Sequence, residues 1–435
     1  MQRALNYDAM PAIWVPAPFL LAAPCFALVA ALLLAWHGEA ALASRWTPVT
    51  LAITHLLVLG FVTMTIAGAL LQLLPVVSGV PIPLALPVAV LTGTLLVGGT
   101  VLLAGALALD WGPPALRAAA ALLGAAGFVF LSAIGVVVSH KVAPAARALV
   151  EGVRYAAAAL AVTLGLGAAL ALYLGGAVSL PAPLVTDIHA GWGLVGWVVA
   201  LTATVSFQVI PTFQATRAYP RAVEAWMPLL LFALLMLWSG AMVAGGAGAR
   251  LAAEGAVALV LLGYAGATLR FLRLRTRAPD AGTRFWVLSM LSLVCAVLLQ
   301  ALPLPLLHDS DARPLLIGIL VVAGCAMSAI NGMLYKIVPF LVWYHLQRDW
   351  RSGQEKAPGM RQILDDGQAL RQWRWHAAGL GLLLLAALAP LAGVAPNLPA
   401  RAAGVVLLAA LSLLLRDLGG AMCLYLRRRR SGKLV

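Results

Sequence analysis

Thr50-Leu-Ala-Ile-Thr-His55-Leu-Leu-Val-Leu-Gly60-Phe-Val-Thr-Met-Thr65-Ile-Ala-Gly-Ala-Leu70-Leu-Gln72-Leu-Leu-Pro75 contains no Asp, Glu, Lys or Arg. About 20 apolar residues in a row cross a hydrocarbon layer of ~30 Å as a helix. A helix satisfies its own backbone N–H and C=O groups, which an open strand in lipid cannot do. Runs of this kind recur along all 435 residues. The chain is 63% hydrophobic and 10% charged, against roughly 45–50% apolar and 25% charged in soluble domains. The reading is an all-α polytopic membrane helix bundle forming a single domain over 1–435. About twelve transmembrane helices are expected, with cores near 15–36, 49–74, 84–109, 116–138, 155–175, 187–210, 227–247, 252–272, 284–303, 315–338, 376–393 and 402–426. The hydrophilic insert 347–373 reads as a cytoplasmic loop with a short amphipathic helix.

The net charge of +14 does not point to nucleic acid, because the basic residues alternate between two sets of loops. One set holds Arg45, Arg117, Arg250, Arg313 and Arg401, at most one each. The other holds Lys141, Arg147 and Arg154, then Arg217 and Arg221, then Arg270, Arg273, Arg275, Arg277 and Arg284. It continues through Arg348, Arg351, Lys356, Arg361, Arg371 and Arg374, and the tail adds Arg427 to Arg430 and Lys433. Lys/Arg-rich loops stay on the cytoplasmic side. The second set is therefore expected inside, with both termini cytoplasmic and the protein in a bacterial-type inner (plasma) membrane. Ala41-Leu42-Ala43 resembles a signal-cleavage site, but the apolar run from Trp14 to Trp36 is longer than the 7–15 residues of a signal h-region. A first transmembrane helix is the expectation, with cleavage as the alternative.

Three segments of the chain match one another. They are Gly68-Ala-Leu-Leu-Gln72-Leu-Leu-Pro75, Thr204-Val-Ser-Phe-Gln208-Val-Ile-Pro211 and Gly332-Met-Leu-Tyr-Lys336-Ile-Val-Pro339. Their prolines are 136 and 128 residues apart. They fall in the second, sixth and tenth runs, so the chain reads as three four-helix pseudo-repeats, about 10–145, 150–275 and 280–430. Each proline is expected to end its helix at the cytoplasmic interface, where a missing N–H costs least. Gln72, Gln208 and Lys336 then stand as polar intramembrane residues. They either snorkel and bond nearby carbonyls or line a path for a cation or proton.

The first two units agree further upstream. His55 lies 20 residues before Pro75 and His189 lies 22 before Pro211. Imidazole binds haem iron and copper, and an ionisable group inside a span is a functional hypothesis by default. The competing reading is a helix-start cap or a bond to a neighbouring helix, with Asp187 beside His189 as part of that interfacial chemistry. Met64, Met327 and Cys325 form a set of soft side chains for which packing is the better reading. Cys25, Cys295, Cys325 and Cys423 contain no CxxC pair and read as packing residues. His37 and His308 fall in outer loops, and His140, His345 and His376 read as solvated interface positions. Trp14, Trp36, Trp46, Trp111, Trp343, Trp350 and Trp375 fall near span ends, as in an aromatic belt.

The three-by-four arrangement resembles subunit I of the haem–copper oxidases. His189-Ala-Gly-Trp-Gly-Leu-Val-Gly-Trp through Pro211 and Tyr219-Pro220 is similar to the sixth helix of the C-type members. The run from His55 to Pro75 resembles the superfamily's second helix, and equally the NnrS family of haem- and copper-holding membrane proteins linked to nitric-oxide stress. The resemblance implies His55 as a haem-iron ligand and His189 as a copper ligand, with haem and/or copper as cofactors. It also implies the lipid bilayer and respiratory-type membrane subunits as partners. The sequence departs from the pattern at Met227 to Trp238, where the family carries a histidine pair, and at Gly324 to Asn331, where it carries two more. Oxygen or nitric-oxide reduction by that mechanism is therefore not expected. P-loop, dinucleotide, nucleophile-elbow and H-E-x-x-H motifs are absent. Three functions remain: a haem- or copper-binding protein without the full binuclear centre, a permease for a small solute, or a ligand-free assembly subunit.

Overall fold

The computed structural model describes residues 6–302, 310–348 and 357–430. Arg3, His308, Trp350, Arg351, Lys356 and Lys433 lie outside the described residues. Among the described residues, twelve helices are long and apolar enough to cross a membrane. They are α1 (Ala17–Leu42), α2 (Pro48–Ser78), α3 (Ala85–Ala108), α4 (Gly112–Ser139), α5 (Pro144–Leu174) and α6 (Ala182–Gln214). The second half comprises α7 (Arg221–Ala244), α8 (Ala247–Arg273), α9 (Ala281–Ala301), α10 (Ala312–Arg348), α11 (Asp366–Ala392) and α12 (Asn397–Arg430). The protein is an integral, all-α membrane protein. An even number of spans puts residue 6 and residue 430 on one face, termed here the Arg430 face; the opposite is the Arg45 face.

Burial separates the helices into two classes. The apolar windows of α2, α6 and α10 are 67%, 67% and 83% buried, whereas the others range from 17% to 56%. These three helices are the interior of the bundle, and the rest surround them and meet lipid. All three interior helices contain a π-helical stretch: Leu56–Thr63, Trp192–Val199 and Leu320–Ala326. Each stretch begins 19 residues before the helix's proline. A π turn bonds i to i+5, widens the helix and turns the face that follows it; such turns occur frequently at functional sites. A small residue at the π turn admits a neighbour: Gly60 receives the ring of Phe26 where a Cβ would otherwise stand.

The prolines do not end their helices. α2 and α6 each run three residues past Pro75 and Pro211, and α10 continues nine past Pro339 to Arg348. Proline keeps a helical φ and removes one hydrogen bond, and neighbouring groups in a bundle make good that loss. Helix ends also differ at α5, which begins at Pro144, and α11, which begins at Asp366. The 347–373 insert is correspondingly shorter, with a helical turn at Met360–Ile363 before α11.

Gln72 is buried, and neither of its amide atoms has a hydrogen-bond partner among the described residues. Gln208 is half-buried and partnered. Lys336 does not snorkel: its Nζ lies 2.7 Å from Asp280 Oδ2 at the start of α9. Asp280 is also the N-cap of α9, accepting from Thr283 N at 2.8 Å in a capping box. Burial raises the Asp280 carboxyl, but the Lys336 charge and hydrogen bond, with the Thr283 donors, outweigh it and hold the group below its ordinary value. A depressed folded value stabilises above the unfolded value, and the contribution is lost as pH falls through the folded one. Asp280→Asn is expected to lose about 2 kcal/mol at pH 7, from a half-buried ion pair and part of a cap. The gap in melting temperature between variant and wild type should close as pH drops below about 4. A gap unchanged between pH 7 and pH 3 would show that the charge on Asp280 does not matter.

Candidate functional site

His55 and His189 each lie seven residues past the first residue of their helix, Pro48 and Ala182. The two interior helices meet so that the rings face one another, centroids 6.4 Å apart and planes inclined by 23°. Two residues from separate quarters of the chain thus form one pair. His55 Nδ1 lies 2.8 Å from the Leu51 carbonyl one turn earlier in α2. His189 Nδ1 lies 3.0 Å from the Thr163 carbonyl of α5. A carbonyl oxygen only accepts, so each Nδ1 carries the proton and each neutral ring keeps its lone pair at Nε2. Among the described residues neither Nε2 has a hydrogen-bond partner. Metal-binding histidines are oriented by the same Nδ1–H to carbonyl bond.

Deeper in the bundle the two helices are tied again. Trp197 Nε1 donates to Thr63 Oγ1 at 3.0 Å, and both groups are buried. Each of these residues is eight past its histidine and closes or nearly closes its π stretch. The tie fixes how α2 and α6 meet and so fixes the spacing of the rings.

Both rings line a cavity of about 1500 Å³. This exceeds the ~300–1,000 Å³ of a typical small-molecule site. Its walls are mostly Leu, Ala, Val and Gly side chains. Charge gathers at the Arg45 end, where Arg45, Asp187, Arg250, Glu254, Asp311 and Arg313 line it. Arg45 Nη1 lies 2.7 Å from Asp187 Oδ1, so Asp187 anchors the α1–α2 loop onto α6 and does not cap His189. Trp238 Nε1 donates to Glu254 Oε1 at 3.1 Å. Arg313 donates to the carbonyls of Leu299 and Gln300. The cavity is an apolar chamber with an amphoteric rim.

The other sequence candidates are placed apart from the pair. Met64 and Cys325 are buried away from the cavity, and Cys325 Sγ accepts from Ser289 Oγ at 3.5 Å. Met327 is on the cavity wall. His140 is exposed, but His345 and His376 are not solvated interface residues. His345 is buried with Nδ1 on the Leu341 carbonyl and Nε2 on the Pro11 carbonyl. His376 is fully buried, its Nε2 2.9 Å from Ser328 Oγ. The charged neighbours Arg371 and Arg374 disguise His376 in the sequence; its spacing from Gln368 and Gln372 is the signal that places it on an inward face.

A metal between two Nε2 atoms at ~2.0 Å each sets ring centroids at most about 6.3 Å apart, close to the spacing seen. Two neutral imidazoles with open Nε2 atoms supply the donor set of a two-nitrogen site, such as haem iron between imidazoles or a copper(I) ion. The pair does not fit a three-imidazole copper centre: among the described residues no group of three or more His, Cys, Asp or Glu gathers to hold a metal. Comparison of the chain with protein-family models and with curated proteins finds no match.

Proposed function

We propose that this protein binds an amphipathic, metal-bearing ligand of porphyrin size in the cavity at the Arg45 face, with His55 and His189 as its nitrogen ligands. The observation that carries the reading is the facing pair, each Nδ1 committed to a carbonyl and each Nε2 free beside a large apolar chamber. The apolar walls suit a macrocycle, and the rim arginines suit its carboxylates. Haem bound there supplies reversible one-electron chemistry. The chain's own part is to orient two imidazoles, exclude bulk water from the chamber walls and neutralise acidic groups at the rim. Three π stretches at one offset from three prolines support the reading of three four-helix units, as in subunit I of the haem–copper oxidases or the NnrS family. The Lys/Arg-rich Arg430 face is the cytoplasmic one on this reading, in an inner-membrane setting of respiration or nitric-oxide defence.

The test is the visible spectrum of the purified, detergent-solubilised protein, oxidised and dithionite-reduced, with metal analysis on the same sample. A Soret band with stoichiometric iron is the expected result. Copper without a chromophore would move the reading to copper handling. A colourless, metal-free preparation after expression with ample haem and copper sinks it and leaves solute transport through the chamber as the reading to pursue.

The wall behind His189 supplies a sharper check. A Cβ on Gly167 of α5 would stand 3.0 Å from His189 Cε1, whereas Gly165 faces open space. Gly167→Leu is expected to push the ring aside and lower haem affinity by about tenfold or more, a shift of roughly an ångström being enough to spoil a liganding geometry. Gly165→Leu should leave the haem titration unchanged. Equal behaviour of the two variants would argue against His189 as a ligand.

A further inference from the structure

A second polar region lies outside the histidine chamber, in the seam where α10, α11 and α12 meet. Two cross-links bound it. Towards the Arg430 face, Asp417 of α12 is buried and accepts from Tyr335 Oη of α10 at 2.8 Å and from Gln368 Nε2 of α11 at 3.3 Å. Deeper, Ser328 of α10 meets His376 of α11 at 2.9 Å. Residues three and four apart share a helix face. Asn331 therefore lies on the α10 face that carries Ser328 and Tyr335. Gln372 lies on the α11 face that carries Gln368 and His376. Both amides sit between the two cross-links, and both are fully buried.

Among the described residues, none offers a hydrogen-bond partner to any of the four amide atoms of Asn331 and Gln372. A buried amide with no partner costs several kcal/mol in an apolar setting, and two in one seam would be a severe defect. Buried water resolves such groups, each molecule bonding about three polar atoms. We propose that the seam binds a column of internal water between Asp417 and His376. The column begins at half-buried Gln368 near the Arg430 face. It ends at the Ser328–His376 cross-link. The seam is thus a hydrated polar tract that enters the bundle from the face opposite the chamber's charged rim. This inference is independent of any metal or haem.

Radiolytic footprinting of the intact protein in ¹⁸O-water tests it, because hydroxyl radicals made from a bound water label the side chains beside it. His376 and Tyr335 should take up ¹⁸O at least about fivefold more than Trp286 and Tyr264, which are also buried but outside the seam. The double variant Asn331→Leu with Gln372→Leu should abolish that labelling. Its melting temperature should stay close to that of the wild type, since replacing both water-bonded amides by apolar groups of similar size can be nearly neutral. Labelling of His376 and Tyr335 no higher than the controls overturns the proposal. So does labelling that persists in a folded double variant.

Discussion

Replacing Gly404 by leucine is expected to prevent α1 and α12 from closing the bundle. Gly404 is buried on α12, and a Cβ there would stand 2.7 Å from Ala35 Cα and 2.8 Å from Ala35 Cβ, with the Ala35 nitrogen closer still. Those atoms belong to the α1 backbone, which cannot rotate away as a side chain can. Membrane helices gain little from hydrophobicity against one another, since lipid is equally apolar; small residues that bring backbones together do the work instead. The contact is reinforced one turn away, where Arg401 Nη1 donates to the Ala35 carbonyl, and two turns away, where Asn397 Oδ1 accepts from Glu39 N. Gly404→Ala should cost about 1–3 kcal/mol, the usual range for overpacking. Gly404→Leu should cost more than about 3 kcal/mol and yield little protein that elutes as a single species. Gly263→Ala, on α8 with open space around it, should change stability by less than about 0.5 kcal/mol. Melting curves in one detergent check all three. A Gly404→Leu protein as stable as wild type would mean that α1 and α12 do not meet at this point.

The glycine contact was invisible in the sequence for the same reason that the spans were plain. Hydropathy reports what faces lipid as an average over twenty residues, and it says nothing about which glycine meets which backbone. The three-proline spacing did carry information about the interior, because α2, α6 and α10 are the most buried helices. The same prolines misled about helix ends. Proline in water breaks a helix, but in a packed bundle the chain runs on. Lys336 read as a lone intramembrane charge because its partner, Asp280, belongs to another helix 56 residues earlier. The π stretches have no composition of their own; their common offset emerges only once the backbone is known. The histidine pair was legible as two equal positions, and what could not be read was that both rings turn toward one chamber.

That shared orientation makes the two histidines unequal to any other residue of the chamber. On the proposed function, His55→Ala and His189→Ala are each expected to lower the affinity for haem, or for copper if copper is the ligand, by more than about 100-fold. The magnitude follows from what lesser changes do: loss of an outer partner of a metal ligand already costs roughly 10–100-fold, and here the ligand itself goes. No third His, Cys, Asp or Glu gathers with the pair among the described residues, so either substitution should act like the double one. A structural role predicts another pattern. If the rings only pack on one another, each alanine variant should melt earlier, by an amount set by the cavity it leaves, and neither should alter a titration with haem. Rescue separates the two further. The chamber of about 1500 Å³ leaves room for free imidazole beside a bound macrocycle. Added imidazole should therefore restore the ligand spectrum of His55→Ala while leaving its melting temperature unchanged in the absence of haem. An effect confined to one histidine, with full binding in the other variant, would leave a single-ligand site and dissolve the pair as a functional unit.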